Sequence, residues 1–179
     1  MTFHPFPTPT PRWRAMAPAD LPAVLRIAAE VHPGYPERDE VFAERLALHP
    51  GGCLVLEDGG GPLGYCISHP WRGEPPALDT LLGALPPQPL SWYLHDVALL
   101  PAARGLGAPA ALLACLRERA AAAGLQALSL TAVNGSAPYW QRQGFEAVPA
   151  DGPKQREKLR SYGPDARLMT AAVPSAVPA

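Results

Sequence analysis

The sequence predicts an α/β fold organised round one strand, loop and helix, and three observations carry that expectation. The first is Trp92 to Ala111, WYLHDVALLPAARGLGAPAA, where an apolar run of strand period stops at Pro101, crosses a glycine-rich loop and continues as an apolar helix from Pro109. The second is a hairpin signal, with Cys53 to Glu57 and Leu63 to Ser68 flanking Asp58-Gly59-Gly60-Gly61-Pro62. The third is a further strand, turn and short helix over Leu128 to Val148, with Asn134-Gly135-Ser136 as the turn and Gly144 closing the helix. At 179 residues the chain has the length of one domain with a single sizeable core.

Met1 to Pro11 alternates proline with polar and aromatic residues and reads as an extended arm, without the basic start or apolar stretch of a signal peptide. Arg12 to Met16 reads as a first strand. Asp20 is the expected cap of a helix whose Leu21, Val24, Leu25, Ala28 and Val31 share a face, and His32-Pro33-Gly34-Tyr35-Pro36 breaks it. Glu37 to Leu48 reads as a second helix with Val41, Phe42 and Leu46 inward, and with Glu37, Asp39, Glu40 and Glu44 as a solvated face. His69 to Ser91 is a proline-rich connection. Pro109 to Ala123 is the third helix, with Leu112, Leu113 and Leu116 facing the sheet. Leu128 to Val133 is a strand, a short helix runs to Gln143, and Phe145 to Val148 pairs with a last strand, Arg167 to Val173, across a polar loop holding Lys154 and Lys158. Residues 12–173 are expected to form one domain between an arm at 1–11 and a tail at 174–179.

Strand alternation sets Tyr93, His95, Val97 and Leu99 on one face and Leu94, Asp96, Ala98 and Leu100 on the other. In Arg104-Gly105-Leu106-Gly107-Ala108, two glycines two apart let backbone N–H groups converge without side-chain obstruction. The helix start at Pro109 adds roughly half a positive charge, so the loop suits a phosphate. No Lys-Ser/Thr follows Gly107, which excludes a Walker loop. A dinucleotide fingerprint needs a third glycine and a later acidic residue, and both are missing.

Net charge is −1 and the arginines are scattered, which argues against nucleic acid or an anionic membrane as partner. The longest apolar run, Ala108 to Leu116, is half a membrane span. Cys53, Cys66 and Cys115 lie in apolar contexts without metal-ligand spacing and read as buried thiols of a cytoplasmic protein, with no metal expected.

Arg104-x-x-Gly107-x-Pro109, set between a strand and a helix, resembles the Gln/Arg-x-x-Gly-x-Gly/Ala pyrophosphate loop of the GNAT acyltransferases. It departs at Pro109, which has no N–H to give a phosphate oxygen. LSLTAVNGSAPYWQRQGFEAV, Leu128 to Val148, resembles the family's next strand, short helix and Gly-Phe strand opening. The chain is most similar to the arylalkylamine (serotonin) N-acetyltransferase branch, through Leu94-His95-x-x-Ala98 and Pro138-Tyr139-Trp140-Gln141-Arg142-x-Gly144-Phe145. The resemblance covers most of the chain from Arg12 onward. It implies a mixed, mostly antiparallel sheet of about seven strands flanked by about four helices, binding acetyl-CoA where the strands Trp92 to Leu100 and Leu128 to Val133 splay apart.

By that resemblance, the pantetheine arm pairs with the backbone of Val97, Ala98 and Leu99, with a backbone N–H near Leu99 as oxyanion donor. Arg104, Gly105, Leu106, Gly107, Ala108 and Pro109 hold the pyrophosphate, and Asn134 also touches the cofactor. His95 is the expected base for an amine that is mostly protonated at neutral pH; a histidine hydrogen-bonded inside the sheet is the alternative. Asp96, on the opposite face, is expected to satisfy backbone or loop donors. The position of the family's tyrosine proton donor is Trp140, whose indole N–H cannot deliver a proton. Adjacent Tyr139 is the candidate acid, about 100° round the helix, with packing on the sheet as the alternative. Tyr35, Trp71, Tyr93 and Trp140 are candidate acceptor contacts, with Trp92 as further aromatic lining. Packing of Tyr35 on its own loop, and tryptophans that only pin a surface excursion, are the alternatives.

Together these readings point to an acetyl-CoA-dependent N-acetyltransferase of a small-molecule amine, an aromatic alkylamine first, acting as a monomer or homodimer. A non-catalytic acyl-CoA sensor that kept the loop, and a protein or peptide N-acetyltransferase, are the alternatives.

Overall fold

The structure is a computed structural model and describes residues 10–174, so most of the expected arm and tail lies outside the described residues. The strands are β1 (Arg12–Ala15), β2 (Cys53–Glu57), β3 (Pro62–Trp71), β4 (Ser91–Leu99), β5 (Ala127–Ala132), β6 (Glu146–Ala147) and β7 (Arg167–Ala172). The helices are α1 (Leu21–Val31), α2 (Asp39–Leu48), α3 (Ala108–Ala122), α4 (Ala137–Arg142) and α5 (Pro153–Arg160). The seven strands make one open sheet in the order β1-β2-β3-β4-β5-β7-β6. Among the described residues only β4 and β5 run parallel.

Each face of the sheet is covered by helices whose apolar stripes the sequence carries. Leu112, Leu113, Leu116 and Ala120 of α3 pack on Leu54, Cys66, Trp92, Leu94, Leu128 and Leu130. On the other face Val24 and Ile27 of α1, with Phe42 and Leu46 of α2, meet Val55, Tyr65, Ile67 and Ala98. Burying such aliphatic side chains is worth roughly 1.5–3 kcal/mol each, which is why two amphipathic helices and one apolar helix suffice to fix the sheet between them. Trp13 of β1 reaches across to donate its indole N–H to the Ala108 carbonyl at 2.9 Å, tying the sheet edge to the start of α3.

Several elements differ from the sequence expectation. Residues 153–160, read as polar loop, form α5; its single buried apolar residue, Leu159, leaves no period to read, so tertiary contact rather than pattern makes this helix. Asp20 does not cap α1. Its carboxylate turns back to the Ala17 N–H at 2.8 Å and pairs with Arg14, closing the 3-10 turn Pro18–Asp20 instead. The strand β3 runs on through His69 to Trp71, so the long connection is the shorter strap 72–90.

Two irregularities of β4 create the site. Its ladder with β5 holds only at Trp92↔Leu128, Tyr93↔Ser129 and Leu94↔Leu130, after which the strands part. Its register with β3 jumps from Ser68↔Leu94 to Ile67↔Asp96, leaving His95 as a bulge.

Candidate active site

The bulge overturns the expected faces of β4. An extra residue shifts the alternation by one. Before it, Trp92 and Leu94 point toward α3; after it, Val97 does so, while Ala98 points toward α1 and α2. His95 and Asp96 therefore both face the α1–α2 turn, not opposite sides as simple alternation implies. There each meets a partner of the other type. His95 Nε2 donates to Glu37 Oε2 at 2.9 Å, with side chains only 2% and 5% exposed. His32 Nε2 lies 3.2 Å from Asp96 Oδ1 and 3.1 Å from the Val97 carbonyl, at 24% and 18% side-chain exposure. Asp96 also accepts the Tyr65 hydroxyl at 2.5 Å, so one of its donors, His32, comes from a loop as expected and the other from the neighbouring strand.

These contacts set the charges. Burial works to raise the Asp96 carboxyl, but the His32 hydrogen bond and charge outweigh it and hold it below the usual carboxylate range. Burial likewise works to lower His32, and Asp96 outweighs that too, leaving His32 above the ordinary histidine value. Glu37 Oε1 accepts the backbone N–H of Asp79, so the His95–Glu37 pair is fastened to the strap. His95 Nδ1 is buried without a hydrogen-bond partner among the described residues. Beneath it, His69 is 1% exposed, its ring 6.3 Å from that of His95. Burial, with the charge of His95 behind it, pushes His69 down to about 3.

A cavity of about 240 Å³ fills the splay between β4 and β5. Its polar wall is His32, Glu37, His95 and Asp96; its aromatic wall is Tyr35, Tyr139, Trp140 and Tyr162. A second cavity of about 200 Å³ runs along Val97, Leu99, Pro109, Leu112 and Leu113, and the two meet at Val97, Tyr139 and Trp140. Over the first cavity, the Tyr35 hydroxyl donates to Asn134 Oδ1 at 3.1 Å, bridging the α1–α2 turn to the end of β5. The strap closes another side, through the Tyr162 hydroxyl to the Pro76 carbonyl and the Leu78 N–H to Ser161 Oγ.

At the far end of the second cavity lies the glycine loop. Gly105 and Gly107 take φ of 75° and 72°, a left-handed conformation that only glycine adopts without strain, and it aims successive N–H groups one way. α3 starts at Ala108, one residue earlier than read, with Pro109 in its first turn. Positive-end helix dipole, converging N–H groups, the adjacent Arg104 and an apolar channel ending at the unpaired edge of β4 fit an extended ligand with a pyrophosphate at one end.

The structure thus brings together His95, Tyr35, Asn134, Tyr139 and Trp140 at the first cavity, and Val97, Leu99 and Pro109 at the second. Tyr139 and Trp140 line the same junction although about 100° apart on a helix, because the six-residue α4 points its side at the junction. Burial raises the Tyr139 phenol. Asn134, expected at the cofactor, lines the first cavity and accepts from Tyr35. Trp71 and Tyr93 are not at this cavity. Trp71 donates to the Glu74 carbonyl and, with Tyr93, lines a separate hollow at the start of β4. Tyr93 is buried with its hydroxyl 2.9 Å from Thr131 Oγ1. Trp92 sits in the core under α3, donating to Ser68 Oγ. Sequence reasoning missed His32, Glu37 and Asp96 as partners: a helix breaker, a solvated acid and a residue on the wrong face become neighbours only through the bulge.

A sheet split at one parallel pair, with a glycine nest and helix start at the split, defines the class as a protein that holds an extended ligand by its pyrophosphate. A profile of the Acetyltransferase (GNAT) family matches residues 21–145, and the chain belongs to that family. A search of curated proteins finds no match. Among solved structures the chain is similar to Ard1 from Thermoplasma volcanium, at 14% identity and TM-score 0.68 over 93% of this chain and 99% of that one. It is similar to the ribosomal-protein-S18-alanine N-acetyltransferase from Escherichia coli, at 18% identity and TM-score 0.62 over 93% and 96%. It is also similar to the GphF GNAT-like decarboxylase in complex with isobutyryl-CoA, at 17% identity and TM-score 0.71 over 91% and 100%. At these identities the likeness is one of fold. Among the described residues no helix is long and apolar enough to cross a membrane, and no three His, Cys, Asp or Glu residues cluster as metal ligands.

Proposed function

We propose that this GNAT protein transfers the acetyl group of acetyl-CoA to the amine of a small molecule, with an aromatic alkylamine as the first candidate. The observation that carries this reading is the acceptor cavity of about 240 Å³, roofed by the Tyr35–Asn134 bridge and the strap. A peptide would need an open trough where these contacts cross the splay, whereas a compact amine fits beneath them. Four aromatic rings on one wall and two carboxylate–histidine pairs on the other suit a flat hydrophobic body carrying an ammonium group.

When bound, acetyl-CoA supplies a thioester whose carbonyl the amine attacks. The loop Arg104 to Ala108 holds the pyrophosphate, and the free edge of β4 at Val97, Ala98 and Leu99 pairs with the pantetheine amides. His95, held by Glu37, does the base work beside the amine, and Tyr139, kept neutral by burial, is the hydroxyl at the junction where the thiolate departs. A thiol with an ordinary value of about 8.5 leaves tolerably well, so Tyr139 accelerates departure rather than permitting it. Free, buried Cys53 and Cys66 suit a reducing cytoplasm.

The test is thiol release from acetyl-CoA with a panel of aryl amines, alkyl amines and short peptides, beside His95→Ala. Release with small amines, falling roughly a hundredfold or more in the variant with KM for acetyl-CoA unchanged, is the expected result. Turnover confined to peptides, or undiminished in His95→Ala, refutes the acceptor class or the base respectively.

A further inference from the structure

Acetylation of an alkylammonium by a thioester breaks two N–H bonds and one C–S bond, forms one C–N bond and one S–H bond, and so releases one net proton per turnover. The His95–Glu37 pair has no outlet for that proton. Both side chains line the cavity but are almost closed to bulk solvent, with His95 Nε2 against Glu37 and His95 Nδ1 buried. We propose that His32, oriented by Asp96, is the proton exit of this site: it takes the proton from the cavity at Nδ1 and hands it to solvent. The proposal rests on the acetyltransferase reading above.

Three observations assign His32 this part. The Val97 carbonyl and Asp96 carboxylate both accept from Nε2, so Nε2 carries hydrogen in either charge state and Nδ1 is the nitrogen that titrates. Unlike His95 Nδ1, His32 Nδ1 is not sealed, and it has no protein partner among the described residues. His32 lines both the acceptor cavity and a hollow of about 320 Å³ between α1 and α2, which together make a path from the reacting amine to the outside. Around it stand Asp96 and His95 of β4, Tyr65 of β3 behind Asp96, Tyr35 and Glu37 of the turn, and Asp39 of α2. The carboxylates among them, and the carbonyl end of α1 that His32 caps, favour a transient imidazolium. Asp96 supports that charge, consistent with the upward direction of His32.

His32→Gln tests this, since the amide keeps a donor toward Val97 and Asp96 but cannot carry the proton. Acetyl-CoA turnover with an accepted amine is followed from about pH 5.5 to 9. The expected result is a kcat lowered roughly a hundredfold near neutrality, with the wild-type acid limb lost from the profile and KM for acetyl-CoA unchanged. A variant with the wild-type profile shape, or one in which only KM rises, overturns the proposal and leaves His32 a structural contact. Wild-type turnover reports separately on the acetyltransferase reading. If no amine is turned over, imidazole C–H resonances of the CoA-bound protein still decide. The signal missing in His32→Gln must titrate above the ordinary histidine value and fall in Asp96→Asn. A His32 signal that does not titrate, or is indifferent to Asp96→Asn, overturns the proposal.

Discussion

His69 offers a quantitative check on the electrostatics beneath the site. The residue is 1% exposed, Nδ1 lies 3.2 Å from the Pro70 carbonyl, and Nε2 is buried with no partner among the described residues. In the folded chain it stays neutral down to about 3, because burial penalises the imidazolium and His95 adds repulsion. Unfolded, it takes a proton below an ordinary value of about 6.5. Between those values the unfolded chain binds the proton and the folded chain does not, so stability falls as pH falls. Between about pH 7 and pH 5 the loss from this one residue is about 2 kcal/mol, from the proton-binding difference at roughly 1.4 kcal/mol per decade. His69→Leu removes it. Packing changes in the variant cost the same at both pH values. His32 acts in the opposite sense, its raised value adding stability that is lost as pH rises, and Asp96 loses its contribution only below the window; both cancel in the comparison. Urea unfolding at the two pH values is the assay. The wild type should lose about 2 kcal/mol more than His69→Leu on acidification. An equal loss in both proteins refutes a buried neutral His69.

Two further outcomes follow from the geometry. Gly107→Ala meets no atom within 4 Å but forces a side chain into φ 72°, so it should cost about 1 kcal/mol in thermal or urea unfolding and raise KM for acetyl-CoA while leaving kcat nearly intact. Tyr35→Phe removes the bridge to Asn134 and should widen acceptor choice toward bulkier amines, lowering kcat/KM for a small amine about five- to tenfold, as for one hydrogen bond; a panel of amines of graded size reads it out.

Local signals carried much of the fold. The glycine run before Pro62 placed the β2–β3 hairpin, and Gly105, Gly107 and Pro109 placed the loop and α3, because positive φ and a missing N–H are properties of single residues. The loop and the Gly-Phe opening were legible for the same reason, as were Tyr139 and Trp140, which sit in a short fixed stretch between them. The helix α5 was not legible, having one apolar residue to mark its face. Nor was the strap, whose place is decided by Glu37, Arg38, Glu44 and Arg45 binding the backbone and side chain of residues 79–83.

By itself the sequence determined the helices with clear stripes, the turns, the anion-binding loop and the family, each of which is written in contiguous residues. Only the tertiary structure decided the site's chemistry. One unpaired residue in β4 turns His95 and Asp96 to the same side, and the α1–α2 turn brings Glu37 and His32 to meet them from 58 and 64 residues away. A bulge is a mismatch between two strands, and a charge pair is a distance between two chain segments; neither exists until the segments are packed together.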